Sequence, residues 1–570
     1  MTPFHKASLA GDLTELQRLI CEGADINLHD ERDGHTPLMA ACLSPRAGVD
    51  VVEFLLDHGA DLHAPGQAKL DMGRPVIALA VSSTTASCEK IRLLIERGAD
   101  FKYRSPDGYN LLISAAYADR MDVFDLLLAA GAPVDGESSY KESALSVLSR
   151  NGRFEVITKL LDNGANPAPL EWTQLHRAIA LGTLQELEVL LNEGADLEAT
   201  DRWHRTAFLL SIQAGDTEKA ALLLDRGANR KATGKCGKPV LHYPLDLDDA
   251  HMMAWLIGQG FDVNQEDDHG GTPLTQAIEL SAVACFKVLM EAGADWESDD
   301  QYGDALIKNA THPEIIQMLI DRGADAAMIP TEALRTWIGI DTVDELPVSE
   351  QDYLEGRFRR FGNANPERMD VPFWTAMVRC GWAAFEAAHQ FGDSVATRTN
   401  PVWSHDRFGM SLTRLPDGRF IQIAGEHEDS CDPDFCIYND VIIHDGRGGF
   451  EILGYPEDVF PPTDFHSATY VAPWIYIIGS LGYPHTQKAH GLETPVYRLH
   501  TKTGEIERVA TQGKSPGWIH GHKAVLEGDR IRIFGGKILT ISLEGETEIS
   551  DHLASYHLDL ATTTWQMVED

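Results

Sequence analysis

The sequence predicts a multidomain chain: an all-α repeat solenoid over residues 1–327, a helical connector over 328–394, and a mostly antiparallel all-β domain over 395–570. Three observations predict it. A phrase of the form Leu-Leu-x-x-Gly-Ala-Asp returns along the first part, with its glycine at Gly23, Gly59, Gly98, Gly131, Gly164, Gly194, Gly227, Gly260, Gly293 and Gly323. A spacing this regular is the mark of a repeat array. The period stops near Met328, and from Val395 onward short alternating apolar runs appear between glycines and prolines, which is the texture of strands.

Each copy of the phrase closes an apolar-periodic run, such as Val51, Val52, Leu55 and Leu56, that reads as the core face of a helix. The glycine after it suits a left-handed C-cap. Upstream, Thr2-Pro3-Phe4-His5, Thr36-Pro37-Leu38 and Thr272-Pro273-Leu274 place a polar cap and a proline in a first helical turn. Each unit therefore reads as turn, short helix, tight turn, longer helix and loop. One unit cannot bury its own apolar face, so neighbours must stack. On these residues the region resembles the ankyrin repeat, with its T-P-L-H-x-A and L-L-x-x-G-A-D signatures, and ten units are expected. Drifted copies include Thr173-Gln174-Leu175-His176 and Lys238-Pro239-Val240-Leu241-His242. The resemblance implies a preformed concave face that grips a macromolecular partner.

The turn before each first helix presents a tip residue, among them Asp33, Met72, Asp107, Cys236, His269 and Tyr302. In the seventh unit the tip is Trp203, and His204 stands where a glycine is usual, so a positive φ is expected there. Arg202-Trp203-His204-Arg205 is a basic and aromatic patch in an acidic protein, and such residues are enriched at interface hot spots. The expected partner contacts are Arg202, Trp203, His204, Arg205, His269 and Tyr302. Packing of Trp203 on a neighbouring turn explains that residue equally well.

In the connector, Arg357, Arg359 and Arg360 are expected to pair with local carboxylates. In the third region, strands are expected at Phe420 to Ala424, Trp474 to Ile478 and Ile531 to Phe534, each leading into a glycine at Gly425, Gly479 or Gly535. A later strand follows each, at Tyr438 to His444, Pro495 to His500 and Ser555 to Leu560. With Trp565 closing the last unit, these residues resemble the kelch repeat, which implies four-stranded, propeller-like blades. Three units are fewer than the roughly four to eight blades that close a ring. Two chains completing one ring, and so a homodimer through the β domain, or an open β domain both satisfy the count.

Polar residues gather at matching places in these units: Glu426 and Glu428 after the first glycine, Asp464 and His466 opening the second unit, His520 and His522 opening the third. Residues two apart share a strand face. Convergence of these six would make a ligand or divalent-metal site, and the alternative function is then an enzyme or a small-molecule or metal sensor, with the array as its targeting module. Strand-start histidines and aspartates bonding loop backbone are the plainer account. Cys431 and Cys436 are expected to be free thiols. Gly513-Lys514-Ser515-Pro516-Gly517 matches a nucleophile-elbow formula but sits between strand-rich units, so no catalytic residue is assigned.

With 48 Lys and Arg against 87 Asp and Glu, the net charge is −39. That argues against nucleic-acid or anionic-membrane binding; it serves solubility or a basic protein partner. The scattered cysteines, the lack of an apolar leader and the lack of a run near the ~18–20 residues of a membrane span predict a cytoplasmic protein. The function expected is a protein-binding scaffold or adaptor without a cofactor.

Overall fold

The computed structural model describes residues 2–31, 33–67, 73–298, 305–324, 326–340, 346–393, 400–429, 432–489, 491–541 and 547–568. The chain divides into two compact units, Met1–Asp295 and Trp296–Asp570. Met72, Tyr302 and Cys431 lie outside the described residues. None of the helices among the described residues is long and apolar enough to cross a membrane.

The first compact unit is a stack of helix pairs, from Pro3–Ala10 with Leu13–Cys21 to Pro273–Glu279 with Val283–Glu291. The recurring phrase encodes its own chain reversal. In the sixth unit, helix Leu184–Asn192 ends, the Gly194 N–H donates to the Leu191 carbonyl, and the Ala195 N–H reaches back to the Leu190 carbonyl. This double bond pattern is the Schellman motif, which satisfies carbonyls that the helix end leaves open. Ala24, Ala60, Ala99, Ala132, Ala165, Ala228, Ala294 and Ala324 repeat the second bond, and Phe261 does so in the eighth unit. The leucine, the glycine and the alanine of the phrase thus have separate jobs: core contact, left-handed backbone and cap.

Gly194 sits at φ 84, and a methyl group added there meets nothing within 4 Å. The glycine is required by its backbone angle, not by space. Gly194→Ala is therefore expected to cost about 1–2 kcal/mol, the price of a left-handed L-residue. Urea unfolding measures this; a loss below a few tenths would show that the angle is not the constraint.

Neighbouring pairs are pinned by polar bridges as well as by apolar contact. His5 and His176 take a bond from or to the capping threonine through Nδ1 and reach the next unit's turn carbonyl, His35 or Arg205, through Nε2. Lys219 is buried and donates to the carbonyls of Ile179 and Gly182 at the end of helix Gln174–Leu181, where a cation offsets the helix's negative pole. The eighth unit departs from the pattern. Pro244 lacks an N–H, and the first helix gives way to two 3₁₀ segments, Val240–His242 and Pro244–Leu247.

In the second compact unit, the helix Pro313–Asp321 of the tenth phrase precedes Thr331–Trp337, Glu350–Gly356, Pro372–Cys380 and Ala384–Gln390. Arg357 pairs with Asp393 at 2.6 Å. The other two arginines differ from expectation: Arg359 donates to the Ile437 carbonyl and covers the Phe361 ring, and Arg360 lies over Trp374.

Three antiparallel meanders follow. The first runs Ser411–Arg414, Phe420–Ile423, Val441–His444, Phe450–Gly454, with Glu367–Arg368 added at its edge. The second is Ser467–Val471, Trp474–Ile478, Val496–His500, Ile506–Arg508. The third is Lys523–Glu527, Arg530–Phe534, Tyr556–Asp559, Thr564–Met567, with Gln512–Gly513 beside it. The apolar runs that predict strands supply the second and third members of each. Ile421, Ile423, Val441, Ile475, Ile477 and Leu499 form one core between the first two meanders; Ile478, Val496, Ile531, Ile533, Leu558 and Trp565 form the next. Each meander carries an insertion between its second and third strands: the hairpin Glu426–Asp429 and Asp432–Ile437, the helix Pro484–Ala489, and the hairpin Lys537–Ile541 and Thr547–Asp551.

The first strands are also tied to one another. The Phe465 N–H donates to the Gly409 carbonyl at 2.7 Å, and the Gly521 N–H donates to the Phe465 carbonyl at 2.7 Å. Equivalent residues thus hold consecutive meanders together just before each first strand.

Candidate functional site

The tips of units five to eight border an open cavity of about 430 Å³, lined by Tyr140, Glu142, Arg150, Glu171, Arg202, Trp203, His204 and Lys235. Four turns build it. In the second, fourth and ninth units the left-handed tip position is a glycine, Gly34, Gly108 or Gly270. In the fifth, sixth and seventh it is Lys141 at φ 59, Glu171 at φ 54 and His204 at φ 57. The eighth unit keeps Gly237 there but adds Cys236 at φ 59. A left-handed L-residue is disfavoured by roughly 1–2 kcal/mol, and such positions collect at functional surfaces. Of these strained tips, Glu171 and His204 line the cavity, and Lys141 and Cys236 each adjoin a lining residue, Tyr140 and Lys235.

Trp203 is half-buried at the centre. Its backbone N–H donates to Asp201 Oδ1 at 2.9 Å, and its indole N–H donates to the Ser146 carbonyl at 2.9 Å. The Arg150 guanidinium lies 5.4 Å and the Lys235 ammonium 5.1 Å from its ring centroid, a doubled cation–π arrangement. Arg202 donates to the Lys141 carbonyl and stands 3.7 Å from the Glu171 carboxylate. His204 and Tyr140 are exposed, Tyr140 at 68%.

The structure separates the expected contact residues. Arg205 is not a surface contact: it is 1% exposed, its Nε donates to Asp201 Oδ2 at 2.9 Å, and its guanidinium also reaches Ser149 and Gln213. A buried guanidinium must have all its donors met, and this one is spent holding the turn from below. Trp203 packs across neighbouring turns while keeping part of its ring at the cavity. His269 is exposed at the ninth tip and is not among the residues that line the cavity; its backbone N–H donates to Asp267 Oδ1 at 2.8 Å. Tyr140, Arg150 and Lys235 escape a sequence reading centred on Trp203. Lys141 and Glu171, at the register of His204, are the signal that leads to them.

In the β region the structure brings together part of the predicted set. The Glu426 carboxyl faces Asp464; burial first, and then the charge of Asp464, push it up to about 7. Asp464 is fully buried and is itself raised by burial, although its Oδ1 accepts from the Gly482 N–H at 2.6 Å and the Ser480 hydroxyl at 3.1 Å. Glu428 is exposed and adds negative charge beside Glu426. Burial and mutual repulsion thus both oppose charging the pair at the same time.

The shared-face argument for the other residues fails. Asp464 and His466 flank Phe465 at φ 47, and His520 and His522 flank Gly521 at φ 62, so neither pair alternates along a strand. His466 Nε2 bonds the Ser411 hydroxyl at 2.7 Å and His522 Nε2 bonds the Ser467 hydroxyl at 2.9 Å. Each histidine ties one first strand to the one before it. Among the described residues no three His, Cys, Asp or Glu side chains are arranged to hold a metal ion.

Comparison with known proteins places ankyrin repeats in the first part of the chain: three matches cover residues 1–66, 77–170 and 175–267. Ankyrin repeat and SOCS box protein 6 of Pongo abelii is 29% identical over 171 residues, 29% of this chain and 36% of that protein. SH3 and multiple ankyrin repeat domains protein 2 of Homo sapiens is 30% identical over 172 residues, 28% of this chain and 9% of that protein. A putative ankyrin repeat-containing protein of Treponema pallidum is 34% identical over 120 residues, 21% of this chain and 38% of that protein. The chain spans less than half the length of each of these relatives. The N-terminal region thus carries ankyrin repeats, followed by a β-rich region of antiparallel sheets.

Proposed function

We propose that the ankyrin array is a protein-binding scaffold that grips a macromolecular partner at the turn tips of units five to eight. The observation that carries this is the cavity at the run of non-glycine tips: Glu171 and His204 line it, and Lys141 sits between the lining residues Tyr140 and Glu142. A helix stack holds these tips in place before docking, so little ordering entropy is lost on binding. The exposed Tyr140 ring and the half-buried Trp203 ring supply the rigid aromatic area that interfaces favour. The surplus of carboxylates elsewhere on the chain would speed the approach of a partner with a basic face.

A photoreactive amino acid at Tyr140, compared with one at Gln185 in the second helix of unit six, tests the reading in extract of the native cell. A discrete adduct from position 140, absent from 185, is the expected result. Equal labelling from both positions, or none from 140, removes the tips from consideration.

A further inference from the structure

We infer that the tip cavity takes an acidic side chain of the protein partner, with Arg150 and Lys235 as its counter-ions beside Trp203. This rests on the scaffold reading and adds the chemistry of what enters the cavity.

The chain has 87 carboxylate residues against 48 lysines and arginines, so carboxylate partners for a cation are plentiful. Many exposed cations of the array have found a carboxylate: Arg97 meets Glu53 and Asp57, Arg153 meets Asp119, and Lys159 meets Asp125. Arg150 and Lys235 make no ion pair among the described residues. The contacts of the Arg150 guanidinium are the Tyr117 and Trp203 rings and a 3.4 Å bond to the Asn151 amide oxygen. The Lys235 ammonium contacts the Trp203 ring.

Two carboxylates also line the cavity, and both are engaged. Glu142 accepts from the Tyr109 hydroxyl at 2.8 Å, and Glu171 is 3.7 Å from Arg202. The Tyr117 hydroxyl, raised first by burial, also leans on Glu142. The opening therefore has a local excess of cations: Arg150, Arg202 and Lys235 against Glu142 and Glu171. Both unpaired donors line the cavity that a partner carboxylate would enter. Arg150 offers a planar fork suited to a bidentate bond, while Lys235 offers a point charge. The polarity is opposite to that of the chain as a whole, so this site selects a local acidic segment even within a partner that is basic elsewhere.

The test uses the full chain at about physiological salt and a blocked hexaglutamate peptide, titrated by calorimetry. One-to-one binding is expected, weakened at least about tenfold in Arg150→Gln/Lys235→Gln, the loss of two charge-assisted bonds. Lys235→Glu alone changes an exposed side chain, leaves the packing of Arg150 intact, and should abolish binding with an unchanged melting curve. The peptide should also suppress the photoadduct formed from position 140. Absence of saturable binding, or equal binding to the wild type and the double variant, overturns the inference. So does tighter binding of inorganic phosphate or a single-stranded oligonucleotide at the same residues. If position 140 captures a partner that hexaglutamate does not displace, the scaffold stands and this inference falls; if position 140 captures nothing, both fall.

Discussion

Arg205→Ala is expected to cost the repeat array about 3–5 kcal/mol. The substitution removes the cation but leaves Asp201, 3% exposed, with its charge uncompensated. Asp201 Oδ1 would still accept from the Trp203 and Arg205 N–H groups at 2.9 Å each. Its Oδ2 would lose the guanidinium. Ser149 of unit five would lose a donor, and Gln213, which also donates to Asp246 Oδ2 of unit eight at 2.8 Å, would lose its link to the arginine. The damage therefore spreads over three units. Arg205→Lys should recover only part of it, because an ammonium cannot span the same fork of acceptors. Urea unfolding followed by circular dichroism measures both variants. A loss under about 1 kcal/mol for the alanine variant would mean that the pair contributes nothing beyond its own desolvation.

Acidification is expected to unfold the sheet-bearing unit steeply. Burial pushes His405, His466 and His522 down to about 3 and His444 to about 4. A histidine held below its ordinary value of about 6.5 takes its proton in the unfolded chain first. Its contribution is whole above about pH 6.5 and drains away as the pH falls toward the folded value. Glu426 works in the opposite sense. Raised to about 7, it is protonated in the folded state first and returns about one proton's worth as the pH falls. Asp464, raised in the same direction, trims the effect further at the acid end. The net grows from about one proton at pH 6.5 to about three by pH 5.5, a loss that steepens to about 4 kcal/mol per pH unit between about pH 5.5 and 4.5. Near-UV circular dichroism in urea at several pH values reads this slope. His466→Gln should flatten it by about one proton's worth, and stability that stays level from pH 7 to 5.5 would refute the account.

The array was legible in the sequence because its information is local. The leucine, glycine and alanine of each phrase fix one chain reversal between them, and the pattern survives where a first helix is lost, as around Pro244. The second and third strands of each meander were legible as apolar runs. The first strands were not: Ser467–Val471 and Lys523–Glu527 have no fully buried position, so neither shows the alternation that marks a half-buried strand. The histidines were found but misplaced, since the left-handed residues Phe465 and Gly521 break the period on which the face argument relied. Arg205 was misread for a different cause. A surface arginine and one that holds a turn from beneath look alike in sequence, and the difference lies in Ser149, 56 positions earlier.

The three tip residues Lys141, Glu171 and His204 occupy positions where glycine would be easier on the backbone. An engineer who averaged these repeats toward a common unit would restore those glycines and obtain a hardier protein, since each replacement relieves strain. The same averaging would strip the Glu171 and His204 side chains from the rim of the tip cavity, the feature that distinguishes these units from their glycine-tipped neighbours. Thermal robustness and individuality are here encoded by the same three codons, and improving one erases the other.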